Sequence, residues 1–284
     1  MNQLLFAFFA AGFLFFTSCE EEMKEAPTLP GEFEIEFDNI ALVDGVQRQL
    51  QLREVGSTEY DYVNGMGQAF NLTFLRYFIS DIVIEGADGA YYEVPTIVSA
   101  TESEGYYLID EADKSSQLIR LEEVPAGDYN KISFTIGVDE EGVTEGAVGG
   151  VLDPSTNGMF WNWNAGYVAL KIEGQSPVSL GGASGNSIQP ENEEGIVFHI
   201  GGWKDIEGTG FVYNNKRVNL DFDAKAKVEQ NERPHVHLTV DVLKLFEGQN
   251  MVDFTGNNNV HRPVDSKPLA ENMAAAFKFD HIHQ

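Results

Sequence analysis

Short segments in which apolar and polar residues alternate run along most of the chain. In residues 31–42 (GEFEIEFDNIAL), large apolar residues alternate with glutamates, which is the period of a half-buried strand. Comparable segments continue as far as residues 235–246 (HVHLTVDVLKLF), and Gly, Pro and Asp residues separate them. The pattern predicts an all-β chain, folded as an antiparallel β-sandwich-like single domain with long loops.

One helix is predicted near the C-terminus, in residues 265–279 (DSKPLAENMAAAFKF). Ser266 is a suitable N-cap, and Pro268 suits an early helical position. Met273 and Phe277 are spaced so that they would share the apolar face of this helix. The predicted fold therefore includes a short C-terminal helix.

The first residues predict export and are not expected to belong to the fold. Residues 1–18 hold an uncharged apolar run that is too short to span a membrane, as in a signal peptide. The run stops at Cys19, the sole cysteine, which fits a lipoprotein signal with Cys19 as the lipidated residue. An ordinary signal peptide followed by a free cysteine is the alternative. Residues 19–31 are acidic and then rich in Pro and Gly, which is typical of a tether.

These features place the β domain in residues 32–284. They predict an outer membrane or cell surface lipoprotein, either on the periplasmic side or exported, that contacts the membrane only through its N-terminal lipid. The chain is strongly acidic, with a formal net charge of −27 and a pI of about 4.4. Nucleic acid is not expected as a partner because its phosphates would be repelled. Cations are the natural partners, although solubility alone would also explain the charge.

All six histidines fall in the last third of the chain. Four of them form two His-x-His pairs, whose spacing places both imidazoles on one face of a strand. Neutral imidazole binds copper, zinc, nickel and iron, so the histidines predict a nitrogen-rich metal site that uses three or four of them. These residues alone favour copper over zinc only weakly, and six ordinary surface histidines are the alternative. The candidate ligands are His199, His235, His237, His261, His281 and His283.

Two of the three tryptophans, Trp161 and Trp163, stand two positions apart in residues 158–174 (GMFWNWNAGYVALKIEG). In an extended strand, both indoles would point to the same side. Packing is one explanation, because two indoles on one face bury a large area. A role in binding or maturation is the other, and the residues alone leave both open.

Three motifs together resemble the MbnP-like family of secreted or lipid-anchored copper-binding proteins associated with methanobactin systems. They are LRYFISDI (residues 75–82), Trp-x-Trp-x-x-Gly-Tyr (residues 161–167) and the closing Asp-His-x-His (residues 280–283). The resemblance spans nearly all of the predicted β domain. It implies a β-sandwich-like fold that binds copper through histidines. Many members carry Phe-x-His near the first strand, and this chain has Asn39 at that position.

In some members of this family, a diheme partner enzyme of the peroxidase type oxidises one tryptophan to kynurenine. The resemblance therefore implies that Trp161 or Trp163 is either a substrate for this maturation or part of the wall of the copper site. The expected protein is an extracytoplasmic, lipid-anchored copper-binding protein for copper acquisition, storage or delivery, and not an enzyme. Its expected partners are the copper ion and a diheme peroxidase-type protein.

Two alternatives come from other functional classes. A metal-independent adhesin or glycan-binding lipoprotein would use Trp161, Trp163 and Trp203 as stacking platforms for sugar rings. A metal-dependent hydrolase would need an open coordination position beside a general base, and no hydrolase motif supports it. Chelation separates the first alternative from a copper site, because a glycan platform would survive it.

Overall fold

Two β-sheets packed against each other make up most of the computed structural model, which describes residues 29–144, 149–179, 194–203 and 210–284. Cys19, the predicted signal peptide and most of the predicted tether lie outside the described residues. In chain order, the strands are β1 (Gly31–Val43), β2 (Val46–Gln49), β3 (Tyr62–Val63), β4 (Ala69–Glu85), β5 (Tyr91–Glu93), β6 (Ile97–Val98), β7 (Ser103–Glu104), β8 (Tyr107–Asp110), β9 (Leu118–Val124), β10 (Gly127–Ile136), β11 (Phe160–Asn162), β12 (Gly166–Gln175), β13 (Gly195–Gly201), β14 (Lys216–Val228), β15 (His235–Asp241), β16 (Asn259–Val260) and β17 (Phe277–His283).

The first sheet has the strand order β17–β15–β1–β2, and β9 also pairs with β1. The second sheet has the order β14–β10–β4–β12–β13–β16, with β3, β5 and β8 paired to β4 and β11 paired to β12. This arrangement confirms the predicted all-β fold. Most pairs are antiparallel, but β1 pairs with β15 and β13 pairs with β16 in parallel. In the first of these pairs, β15 lies between β1 and β17, although it is far from β1 in the sequence.

A cluster of four aromatic rings joins the two sheets in the core. Phe37 and Phe277 come from the first sheet, and Tyr77 and Phe134 come from the second. The Phe37 ring lies 5.5 Å from Phe134 and 6.3 Å from both Tyr77 and Phe277 in edge-to-face geometry. All four side chains are buried. Edge-to-face pairs at these separations add to the free energy gained by burying the rings. The cluster therefore holds β1 and β17 of the first sheet against the second sheet.

The α-helices of the described residues are short. They are α1 (Glu140–Thr144), α2 (Pro154–Asn157) and α3 (Pro263–Met273). The predicted C-terminal helix is α3, but it begins at Pro263 and not near Ser266, because proline suits the first helical turn, where its missing N–H costs nothing. The prediction that Phe277 lies on this helix was wrong, since it begins β17. In the described ranges, no helix combines the length and the apolar character needed to cross a bilayer.

Replacement of Phe37 tests the importance of the aromatic cluster. We expect Phe37→Ala to lower the free energy of unfolding by about 3–5 kcal/mol, because it removes ring contacts to both sheets and leaves a cavity. Urea unfolding followed by tryptophan fluorescence would measure the change. Val46→Ala is the control, since Val46 is 56% exposed on the edge strand β2. That change should cost less than about 0.5 kcal/mol. A loss below about 1 kcal/mol for Phe37→Ala would contradict the assigned role of the cluster.

Candidate metal centre

Four histidines and two glutamates come together on one face of the first sheet. We call this set the histidine grid, and its members are Glu34, Glu36, His235, His237, His281 and His283. In β15, Val236 and Leu238 are buried in the core, so the histidines that alternate with them lie on the opposite face. The prediction that the first His-x-His pair shares one strand face is confirmed: the two rings lie 4.3 Å apart.

Strand register builds the grid in two rows. In the first row, Glu34 of β1 lies opposite His235 of β15, which lies opposite His283 of β17. In the second row, Glu36 lies opposite His237, which lies opposite His281. Directly opposed residues on neighbouring strands have Cβ atoms about 4.5–5.5 Å apart. Two His-x-His pairs from distant parts of the chain therefore meet in one site.

Three imidazoles of the grid converge on one point. His237, His281 and His283 each offer a ring nitrogen, and these nitrogens all lie within 4.8 Å of one another. Nε2 of His281 lies 3.1 Å from Nε2 of His283. The His237 and His281 rings stack with centroids 4.3 Å apart and an interplanar angle of 8°. His281 and His283 are exposed, so an ion can reach these nitrogens from solvent.

A second convergence lies beside the first. Glu36, His235 and His237 also offer three ligand atoms within 4.8 Å of one another. Nε2 of His235 lies 2.9 Å from Oε2 of Glu36, and Nε2 of His237 lies 3.7 Å from the same oxygen. Burial and the neighbouring His237 lower the pKa of His235, which favours its neutral, metal-binding form.

Two aspartates orient the imidazoles. Nδ1 of His237 lies 2.9 Å from Oδ2 of Asp38, and Nδ1 of His281 lies 3.0 Å from Oδ2 of Asp280. An ionised carboxylate only accepts hydrogen bonds, so in each case Nδ1 carries the proton and donates it. When such a ring is neutral, it presents the lone pair of Nε2 toward the grid. Carboxylates that fix the tautomer in this way are the usual supports of metal-binding histidines.

The two glutamates of the grid differ in their partners. Glu34 is buried and pairs with two arginines, Arg120 at 2.8 Å and Arg233 at 3.3 Å. Its contact to His235 is longer, at 3.9 Å. The nearest ion-pair contact of Glu36 is with His235, at 2.9 Å. Because two guanidinium groups offset the charge of Glu34, Glu36 is the carboxylate of the grid best placed to act as a ligand.

The remaining two histidines form a separate pair at the second sheet, where His261 directly follows β16. His199 of β13 is 2% exposed, and its Nδ1 lies 3.1 Å from Nδ1 of His261. Its Nε2 lies 2.9 Å from Oε1 of Glu173, which is also 3.5 Å from Nζ of the buried Lys171. Burial lowers the pKa of His199. The six candidate histidines therefore belong to two separate clusters. Among the described residues, the sets of three side chains that could hold a metal ion include neither His199 nor His261.

The two adjacent tryptophans do not share a strand face. Strand β11 ends at Asn162, and Trp163 lies in the turn before β12, where it is 50% exposed and its ring packs 4.6 Å from that of Phe160. Trp161 packs closely against Gly202, which directly follows β13 of the second sheet. A Cβ atom built on Gly202 would lie only 2.8 Å from Cζ3 of Trp161. The same added Cβ would meet Pro263, the first residue of α3. Trp161 therefore lies beyond the end of β13 in the second sheet and is not part of the grid.

The position of Asn39 explains why it takes no part in the grid. Its side chain is buried on the core side of β1, where it accepts a hydrogen bond from Tyr77 Oη at 2.9 Å and donates one to Glu111 at 3.0 Å. The neighbouring Asp38 points to the other face and contacts His237. The sequence did not predict a role for Glu36 and Asp38. Acidic residues at alternate positions of β1 were the only indication, and this pattern identifies a site only when the neighbouring strand is known.

Comparison with known proteins places the chain in a family. A model of the MbnP family matches residues 30–262, which is more than half of the chain. A solved structure, MbnP from Methylosinus trichosporium, is similar at 15% sequence identity over 79% of each chain, with a TM-score of 0.48. No curated protein matches the chain. The extent of the family match shows that this protein belongs to the MbnP family.

Proposed function

We propose that this MbnP-family protein binds copper at the histidine grid and serves copper acquisition, storage or delivery outside the cytoplasm. The observation that carries this proposal is the convergence of the ring nitrogens of His237, His281 and His283 within 4.8 Å. Three neutral imidazoles whose Nε2 atoms face one point form a donor set suited to copper. Nε2 of His283 lies 3.1 Å from Nε2 of His281, and a bound ion would take the place of that contact.

The chemistry of the donors and the charge of the chain favour copper among cations. Sites built from nitrogen and oxygen donors bind divalent copper more tightly than the other first-row divalent ions. The net charge of −27 attracts cations, and Asp38 and Asp280 add negative charge directly behind the ligands. The resemblance of the sequence to copper-binding MbnP-like proteins points to the same metal.

The position of the grid supports binding and transfer and not catalysis. The grid lies on an open sheet face with His281 and His283 exposed, so bound metal could pass to a partner without entering a cleft. We infer that the protein is not an enzyme and that Cys19 anchors it to the outer membrane or cell surface. Strand β1 begins at Gly31, where the predicted tether ends, and Glu34 follows three residues later. The grid would then lie near the point where the tether joins the β domain.

Maturation of a tryptophan by a diheme peroxidase-type partner is a second part of the proposal. Trp163 is the better candidate because it is 50% exposed in a turn, where a partner protein can reach it. Trp161 packs against Gly202, and its indole Nε1 is buried with no hydrogen-bond partner among the residues that the structure describes. Because neither indole belongs to the grid, copper binding at the grid does not require oxidation.

Substitution of single histidines separates the two groups. We expect His237→Gln to weaken copper binding by at least about 100-fold, because His237 contributes to both convergent donor sets. His199→Gln is the matched control and should leave the affinity within about 3-fold, since His199 lies in the other sheet. Competition titrations with copper chelators would measure both. Loss of binding in His199→Gln but not in His237→Gln would place the copper at the buried pair.

The same titration on the unmodified protein tests the functional class. A protein that takes up no copper at micromolar concentration would contradict the proposal. A glycan-binding or adhesive function, unaffected by chelators, would then become the leading explanation.

Intact mass of the protein purified from its native host tests the maturation step. Conversion of tryptophan to kynurenine adds one oxygen and removes one carbon, and we expect this change on the peptide that contains Trp161 and Trp163, at Trp163. Protein from a host without the diheme enzyme is the control and should carry two unmodified indoles. Copper-loaded native protein with both indoles intact would contradict the maturation step but not the copper site.

A further inference from the structure

The two convergent donor sets of the grid share one residue, His237. Its Nδ1 is engaged by Asp38 at 2.9 Å, so Nε2 is the nitrogen that it offers to both sets. One nitrogen lone pair binds one ion. The two sets are therefore alternative positions for a single ion and cannot both use His237 at the same time.

The two positions differ in charge and in donor chemistry. The set formed by His237, His281 and His283 consists of three neutral nitrogens. The set formed by Glu36, His235 and His237 replaces one nitrogen with a negatively charged oxygen. A carboxylate attracts a divalent ion more strongly than a monovalent one, since the Coulomb energy scales with the charge. Hard oxygen donors also suit ions of higher charge, and soft ions prefer nitrogen or sulfur donors.

We propose that the grid holds one copper ion in two alternative positions that are selected by its oxidation state. Monovalent copper takes the position of His237, His281 and His283. Divalent copper takes the position of Glu36, His235 and His237. This inference rests on the proposed copper-binding function and adds Glu36 as the residue that discriminates between the two states. Copper binds in the oxidation state in which it reaches the protein, so no electron transfer is required.

The surroundings of the grid single out Glu36 for this role. Glu34 lies one row away on the same strand face, but Arg120 and Arg233 offset its charge. Glu36 lies 2.9 Å from His235 and 3.7 Å from His237, so its oxygen already faces both nitrogens of the second position. The rings of His235 and His281 each lie 4.3 Å from that of His237. The two positions are therefore adjacent, on either side of His237.

Glu36→Gln tests the proposal, because it keeps the shape of the side chain and removes its charge. We expect it to weaken binding of divalent copper by about 10–100-fold and to change binding of monovalent copper by less than about 3-fold. Zinc serves as a divalent probe that cannot be reduced and should follow divalent copper. His283→Gln should show the reverse pattern, with the larger loss for monovalent copper. Glu32→Gln is the matched control and should leave the binding of both states unchanged, because Glu32 is exposed on the same strand and lies outside the grid.

Stoichiometry and spectroscopy provide independent readouts on the intact protein. We expect one ion per chain in each state. Electron paramagnetic resonance of the divalent form should report two nitrogen ligands, and its spectrum should change in Glu36→Gln but not in His283→Gln. Thermal unfolding of each variant without metal confirms that the chain has folded.

The possible results distinguish this inference from the proposed function. Two ions bound per chain, or equal losses for both oxidation states in Glu36→Gln and His283→Gln, would overturn the two-position arrangement while leaving copper binding intact. An unmodified protein that binds neither oxidation state would overturn the proposed function, and the inference with it.

Discussion

The register of β15 between β1 and β17 determines whether the histidine grid exists. Side chains along a strand alternate between faces, so a slip of one residue would turn His235 and His237 into the core and Val236 and Leu238 out to solvent. The cost of exposing these buried aliphatic residues keeps β15 in place. The aromatic cluster holds the strands on both sides, through Phe37 in β1 and Phe277 in β17. Core packing therefore aligns candidate ligands that make no contact with the core.

The sequence predicted the parts of the grid that depend on a single strand. The period of two placed His235 and His237 on one face, and the same argument applies to His281 and His283. The sequence pattern does not predict which distant strands pair, because the parallel pairing of β1 with β15 depends on how the whole core packs. For the same reason, the sequence could not separate His199 and His261 from the other histidines. Nor could it recognise that Glu36 and Asp38 face imidazoles.

Asp38 and Asn39 show how neighbouring positions on one strand take unrelated roles. Asn39 faces inward and bridges Tyr77 and Glu111, so a histidine at this position would point into the core. Asp38 faces outward and fixes the proton of His237 on Nδ1. Position 39, where the resemblance led us to expect a histidine, therefore lies on the face of β1 opposite the grid. The absence of a histidine at position 39 does not affect the grid, because the group on β1 that supports His237 is the carboxylate of Asp38.

The excess of negative charge at the grid links metal binding to stability. Glu36, Asp38 and Asp280 lie close to imidazoles that are neutral when they act as ligands, whereas Arg120 and Arg233 pair with Glu34. Like charges on one sheet face repel one another, and a bound cation would reduce that repulsion. An ion that binds the folded chain and not the unfolded one also stabilises it by mass action. The grid is thus a surface on which the folded protein gains stability from the cation that it is proposed to carry.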